Sequence, residues 1–454
     1  MSETRITCGI SSLDELIQGL RLGDNVVWQV DHWEAYRYFA APFIQEALRA
    51  HRRCIYLRFA AHPPILSPQP GLEIIEIDPQ SGFDAFSVEV HQIIESRGRE
   101  AFYVFDSLSS LVGEWATDEL LANFFQITCP FLYEMDTVAY FHLMRGQHAH
   151  QAVARIRDTT QVLIEVYQTR DNLYIHPLKV LDRYSPQMFL PHLLSGETWI
   201  PVYQSGDAAD LSVKAHKKPL FGTAKSTAPW EAVYHRLMQH LEMGSTSPEA
   251  ISEIGELKQE LSRMILGAHP EFNRLADTYL SLDELLNIRE RMIGSGRIGG
   301  KAAGMLLARS ILEKSSGEID FCQISEAHDS FYVGSDVFFT FLVNNDLFKA
   351  RMHYSRDLHI SPAEFEELEM KFLSGKFPGD IMAQFQDMLE YFGQAPIIVR
   401  SSSLLEDSFG NAFAGKYRSE FCANQGTPED RMKAFLQAIK LVYASALNPD
   451  ALAY

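Results

Sequence analysis

The chain has 454 residues, 46% apolar and 22% charged, the balance of a globular protein long enough for about three domains. Its net charge of −19, from 40 basic and 59 acidic residues, excludes a general nucleic-acid binder, because phosphate contacts need clustered Lys and Arg; a local basic pocket for a small anion remains open. The polar start MSETRITCGI carries no signal-peptide core, and no uncharged apolar run approaches the roughly 18 residues of a membrane helix. Cys8, Cys54, Cys129, Cys322 and Cys422 are scattered without CxxC spacing, as in a reduced, cytoplasmic protein rather than a disulfide frame or zinc site.

Residues 1–205 alternate short apolar runs with helical patterns. The runs Asn25–Val30, Cys54–Phe59, Leu72–Ile77, Ala101–Phe105, Thr137–Leu143, Gln161–Tyr167 and Leu173–Leu181 read as strands, with helices at Tyr36–Ala50 and Phe83–Ser96. This predicts a mostly parallel sheet with helices on both faces. The last two runs are separated only by Gln168–Asn172 and read as an antiparallel hairpin.

Residues 206–289 read as a linker and helical connector. GDAADLSVKAHKKPLFGTAKSTAP shows no period. A helix follows at Trp230–Met243. Another starts at SPEAISEIGELKQELSRMIL, with Ser247 as N-cap and a stripe of Ile251, Ile254, Leu257, Leu261 and Ile265. From 290, RMIGSGRIGGKAAGMLLARSIL is a glycine-rich turn entering a helix. SPAEFEELEMKFL opens with a capping box, Ser361 to Glu364. Asp380–Phe392 carries one apolar face and stops at Gly393. APIIVRSSS is a buried-looking strand entering a polar loop.

The stretch GDNVVWQVDHWEAYRYFAAPFI, residues 23–44, stands where a phosphate loop would follow the first strand. Such a loop needs glycines, a lysine and a Ser or Thr hydroxyl. None is in place. Arg37 is the only cation, Asp31 and Glu34 repel a triphosphate, and Trp33, Tyr36 and Tyr38 fill the space.

The surroundings nevertheless resemble the RecA/KaiC-like ATPase family over about residues 6–195. The lead-in Gly9-Ile10, Leu13-Asp14-Glu15-Leu16, Gly19-Leu20, Gly23-Asp24 is similar to that family's. Asp106-Ser107-Leu108 stands where the family has its magnesium-associated aspartate, and Lys179 and Arg183 are nearest to its late Lys-x-x-Arg element. Ala60 and Ala61 replace the two catalytic glutamates. With cradle and carboxylates both gone, the resemblance implies a degenerate domain that hydrolyses nothing and serves assembly or regulation. Asp106 is then a polar strand end or a residual metal or ligand contact. His142, His148 and His150 in HLMRGQHAH read as solvated loop histidines rather than a metal site.

The second glycine cluster is better equipped. GSGRIGGKAAGM sets Gly299, Gly300 and Lys301 at a helix start, where free N–H groups and the helix dipole favour anions. The alternative is a glycine turn packed closely on a neighbour. About 95 residues on, PIIVRSSSLLEDSFGNAFAGKYRSE delivers Arg400, suited to forked phosphate contacts, with Ser401 and Ser402 as further donors. The segment around Gly415 reads as a flexible lid.

The two motifs resemble the N-terminal, ATP-grasp-like nucleotide-binding domain of the phosphoenolpyruvate synthase/pyruvate phosphate dikinase family. Gly299-Gly300-Lys301 and Val399-Arg400-Ser401-Ser402 correspond to the elements that face one another across ATP in that family. Glu406-Asp407 and Phe413-Ala414-Gly415 match its next Glu-Asp and Phe-Ala-Gly elements. The likeness covers about 290–454; IDFCQISEAHDSFYVGSDVF departs from the family's proline-rich element. It implies a partial α+β ATP-grasp-like domain whose Lys301 and Arg400 hold the β/γ-phosphates. In a longer parent protein it implies ATP and Mg2+ as cofactors and a phosphotransferase acting on pyruvate. This chain alone, expected to be a truncated front portion, would be inactive. The expected partner is ATP, with pyruvate only in the parent, no nucleic acid, no membrane, and homo-oligomers through the RecA-like domain. Two rival readings are a regulatory or scaffolding protein without catalysis, and an active ATPase using an altered loop at 31–38.

Overall fold

The computed structural model describes residues 5–115, 117–169, 172–204, 229–244, 247–267, 269–315, 319–326, 329–403 and 415–452. It divides into two compact units, Met1–Glu231 and Ala232–Tyr454.

The first unit is built on β1 (Asn25–Val30), β2 (Cys54–Arg58), β3 (Leu72–Glu76), β4 (Phe102–Ser107), β5 (Val138–Met144), β6 (Val162–Gln168), β7 (Leu173–Val180), β8 (His192–Ser195) and β9 (Thr198–Pro201). They form one sheet in the order β3-β2-β4-β5-β1-β6-β7-β8-β9. The strands from β3 to β6 pair in parallel, and those from β6 to β9 antiparallel. The seven apolar runs are β1 to β7, and the expected hairpin is β6–β7. The short strands β8 and β9 extend the sheet beyond the sequence reading.

Every residue of β1 and β4 is buried, as in a sheet covered on both faces. On one face, α2 (Trp33–Arg49) stacks Phe39 on Trp28 and Phe43 on Tyr140, each at 4.0 Å between ring centroids. On the other, α5 (Asp118–Glu134) brings Phe124 to Phe105 and Phe125 to Phe141, and Phe86 of α3 (Phe83–Arg97) packs on Phe124. Truncating one such ring to Ala costs about 3–5 kcal/mol. The remaining helices are α1 (Ser11–Ile17), α4 (Ser109–Trp115) and α6 (His150–Thr159). Strand β1 lies between β5 and β6, yet the chain leaves it for β2 on the far side of β5 and β4. This reversal makes the C-terminal ends of β1, β4 and β5 the edge where open α/β sheets bind ligands.

The second unit is mainly helical. Ser247 caps the helix Pro248–Leu266 by accepting from the Ala250 N–H at 3.2 Å. Its stripe buries Leu257, Leu261 and Ile265, but Ile251 is 61% exposed, so the first turn does not pack as expected. The capping box at Ser361 and Glu364 forms, and the helix Gly379–Phe392 buries Ile381, Phe385, Met388 and Leu389. Two small sheets accompany the helices: β10 (Met292–Ile293) parallel to β11 (Tyr332–Val333), and β12 (Ile397–Arg400) antiparallel to β13 (Ser419–Cys422). Strand β12 is not buried: Ile398 is 45% exposed opposite Phe421 at 84%. Among the described residues the sheets of this unit have two strands each, which carries the ATP-grasp expectation no further. The helices expected as a connector are bonded into this unit, through Ile298 N–H to the Ile265 carbonyl at 3.0 Å and Ser310 Oγ to the Tyr279 carbonyl at 2.5 Å. Of the expected linker, 206–229, residues 206–228 lie outside the described residues, and Pro229 opens the helix Pro229–Glu242.

All five cysteines are free thiols. No helix of the described residues is long and apolar enough to cross a membrane.

Candidate functional site

The glycine-rich segment before Lys301 folds around a side chain that sequence reading passed over. Asp336, near the start of the helix Ser335–Asn344, is 3% exposed. Its carboxylate accepts from the Ser295 N–H at 2.9 Å and the Gly296 N–H at 2.8 Å, and from the Ser295 hydroxyl at 3.1 Å. The Ser335 hydroxyl accepts from the Arg297 N–H at 3.1 Å, and the Gln384 amide oxygen from the Gly294 N–H at 3.0 Å. Gly294 has φ +83°, where an L side chain is strained, and a Cβ there would press on Asp336 and Val337. The loop is therefore a backbone nest already occupied by an internal carboxylate. Burial pushes the Asp336 carboxyl upward, and the N–H groups of Ser295 and Gly296 pull it back.

The next residues meet the second motif. The Gly300 N–H donates to the Ser403 carbonyl at 3.0 Å, and the Ala302 N–H to the Ser402 hydroxyl at 3.0 Å. A Cβ on Gly299 would coincide with the Ser402 carbonyl, so only glycine permits this approach. The structure thus brings Gly299, Gly300, Ala302, Ser402 and Ser403 into one junction, although Gly300 and Ser402 lie about 100 residues apart. The helix Gly300–Glu313 does not offer free Gly300 and Ala302 donors, contrary to the sequence expectation; Ser402 and Ser403 accept from them. Lys301 is half-buried beside this junction. Arg400 ends β12, two residues before Ser402, and is exposed, with no ion-pair partner among the described residues. Ser401 is half-buried between them. Gly415, with φ +77°, is exposed, and a Cβ on it would meet open space. Glu406, Asp407, Phe413 and Ala414 lie outside the described residues.

In the first unit, the stretch read as standing where a phosphate loop would be is packed with rings. Tyr36 is buried and stacks on the ring of His142 at 5.1 Å; Trp33 stacks on His62 at 5.5 Å. Tyr38 does not fill this space as expected: it is exposed and meets Phe39 and Trp199 edge-on. Arg145, a cation missed in the sequence, forks onto Asp31 at 2.7 and 2.9 Å and lies over the Tyr167 ring at 4.2 Å. Asp31 is thereby neutralised internally.

Asp106 is fully buried. It accepts from the N–H groups of Phe59 at 3.1 Å and Ala60 at 3.0 Å and from the Tyr56 hydroxyl. The Ala60 backbone thus turns its N–H inward onto Asp106. Arg183 is also enclosed, forked onto Asp24 at 2.9 and 3.0 Å, and Lys179 donates to the Arg157 and Asp158 carbonyls at the end of α6.

Of the three histidines expected in solvent, only His150 is exposed. His142 is fully buried with neither ring nitrogen hydrogen-bonded, and burial, helped by His62 and His148, holds its imidazole down to about 3. His148 is 3% exposed and bonded at both nitrogens. Among the described residues no cluster of His, Cys, Asp and Glu could hold a metal ion.

Comparison with known proteins bears on the second motif pair. Residues 295–454 match the family described as "Pyruvate phosphate dikinase, AMP/ATP-binding domain". No curated protein matches the chain. Among solved structures, a KaiC-like protein from the hyperthermophilic archaeon Pyrococcus horikoshii is similar at 16% identity and a TM-score of 0.34, over 44% of this chain and 100% of that one. The C-terminal segment of this chain thus resembles a nucleotide-binding domain.

Proposed function

We propose that residues 290–454 grip the phosphates of ATP, in the manner of the phosphoenolpyruvate synthase/pyruvate phosphate dikinase family, and that residues 1–205 form a degenerate, non-hydrolysing RecA/KaiC-like domain used for assembly or regulation. The observation that carries the reading is the junction of Gly299–Ala302 with Ser402–Ser403, which sets Lys301 and Arg400 on the two stretches of chain that meet there. The matched nucleotide-binding family over 295–454 supports it. Arg400 is an exposed, forked cation at a strand end, and Lys301 carries a second charge on the stretch that meets Ser402 and Ser403.

The residues fit the phosphates by side chain more than by backbone. Asp336, Ser335, Ser402 and Ser403 already use the loop's N–H groups at positions 295, 296, 297, 300 and 302. Asp336 is closed inside the loop and is not offered to Mg2+. Phosphoryl transfer, which needs ATP, Mg2+, a phosphorylated histidine and pyruvate, is proposed only for a longer protein carrying this segment. The occupied nest favours one rival: a scaffold that keeps both nucleotide-type folds for interaction, including self-association through residues 1–205.

Hydrogen exchange with and without Mg–ATP tests where the ligand sits. Slowed exchange in peptides spanning 397–403 and 415–422, with 31–38 unchanged, is the expected result. Slowing confined to 31–38 favours an altered active loop instead, and no change anywhere favours the scaffold.

A further inference from the structure

Three side chains of the first unit, none used by the nucleotide reading, meet at the C-terminal edge of β4 and β5. Ser109 is the first residue of α4, Asp118 the first of α5, and His148 lies in the loop between β5 and α6. The His148 Nδ1 is 2.8 Å from Asp118 Oδ1, and its Nε2 is 2.6 Å from Ser109 Oγ. Asp118 and His148 are 2% and 3% exposed, while Ser109 is half-buried and forms the solvent end of the row.

The atom roles are those of an activated hydroxyl. A buried carboxylate on Nδ1 fixes the tautomer with its proton there, leaving the Nε2 lone pair for the serine proton. The Ala149 N–H donates to Asp118 Oδ2 at 2.7 Å and holds the carboxylate in place. The Met144 N–H donates to Ser109 Oγ at 2.7 Å, which sets the rotamer so that the hydroxyl proton faces His148. A nucleophile, a base within hydrogen-bond reach and a third group orienting the base are the signature of covalent catalysis.

We propose that Ser109, His148 and Asp118 are an acyl-transfer triad acting on small activated esters. Ser109 Oγ attacks the acyl carbon while its proton passes to His148 Nε2. The bond from that carbon to the leaving oxygen then breaks, and His148 returns the proton to the departing alkoxide or phenolate. Water, deprotonated by His148, attacks the acyl-serine; the Oγ–carbon bond breaks, the acid leaves, and the proton goes back to Ser109. Small acyl groups are specified because Ser109 is itself half-buried, which leaves a large group little access to its Oγ. Activated leaving groups are specified because they ask least of oxyanion stabilisation. The proposal is independent of ATP binding by the second unit.

The test uses the full chain with p-nitrophenyl acetate, quenched in the steady state and mapped by tandem mass spectrometry. The wild type is expected to carry acetyl on Ser109. Ser109→Ala is expected to lose that adduct, and His148→Asn to slow p-nitrophenolate release by about 100-fold or more. Acetyl only on other nucleophiles, or release unchanged in both variants, overturns the proposal. The wild-type map decides the matter even if a variant fails to fold, because a merely structural hydrogen-bond row leaves Ser109 unacetylated.

Discussion

The two units handle the same backbone problem by the same device and end in different states. In each, a buried carboxylate gathers two main-chain N–H groups of a loop: Asp106 those of Phe59 and Ala60, Asp336 those of Ser295 and Gly296. In the first unit the space around that carboxylate is filled by Tyr56, Tyr36, His142 and His62, and nearby Arg145 is spent on Asp31. In the second unit the glycines are retained, the second motif's backbone comes into contact, and Arg400 stays in solvent. Without glycine the space is filled by rings. Keeping it admits another stretch of chain and leaves Arg400 at its edge.

Removing each carboxylate sharpens the comparison most. Asp336→Ala leaves the buried Gly296 N–H and the part-buried Ser295 N–H and hydroxyl without an acceptor and is expected to destabilise the protein by about 4 kcal/mol. Asp106→Ala orphans the buried N–H groups of Phe59 and Ala60 and the Tyr56 hydroxyl and is expected to cost a similar amount, about 4 kcal/mol. Denaturant unfolding of the two variants measures both. Equal stability of Asp336→Ala and wild type breaks the claim that the glycine loop is organised by that carboxylate. By calorimetric titration Asp106→Ala is expected to leave Mg–ATP affinity unchanged; ATP turnover by the wild type that this variant loses revives the altered-loop reading.

A smaller effect is expected from His142. Burial holds its folded-state value at about 3, against 6.5 for an ordinary imidazole. Between those values the unfolded chain binds a proton that the folded chain refuses, so stability is full above about pH 6.5 and falls as the pH drops toward 3. The slope from this group is about 1.4 kcal/mol per pH unit, or about 2 kcal/mol lost by pH 5. His142→Phe keeps the stack on Tyr36 and removes the titration. Melting curves at pH 7 and pH 5 are expected to lie closer together in the variant than in the wild type.

Much of the first unit's fold is legible in the sequence, because strands β1 to β7 are mainly apolar runs between turn residues. Strands β8 and β9 are not, because HLLS and TWIP are four residues each and mix polar with apolar side chains. Strand order is not local information either: β1 sits between β5 and β6 only because distant segments pair. In the second unit, IIV in β12 reads as buried, yet an apolar run does not reveal which side is covered, and Ile398 faces out. The convergence of the Gly-Gly-Lys and Arg-Ser-Ser segments follows from the motifs. The occupation of the nest by Asp336 does not, since a single acid in VGSDVF marks a helix start and says nothing of the loop it closes on. Likewise His148 looks like a loop histidine until its partners, Ser109 and Asp118, are brought to it by three separate connections.

The central proposal is that Lys301 and Arg400 grip the β/γ-phosphates of one ATP. Calorimetric titration of the full chain with Mg–ATP, in wild type and in Lys301→Ala with Arg400→Ala, tests it most directly. The account predicts binding in the wild type and a loss of about 100-fold or more in the double variant, from two charge-assisted contacts of about 1.5 kcal/mol or more each. Equal affinity in the two proteins, or no binding to the wild type, contradicts it.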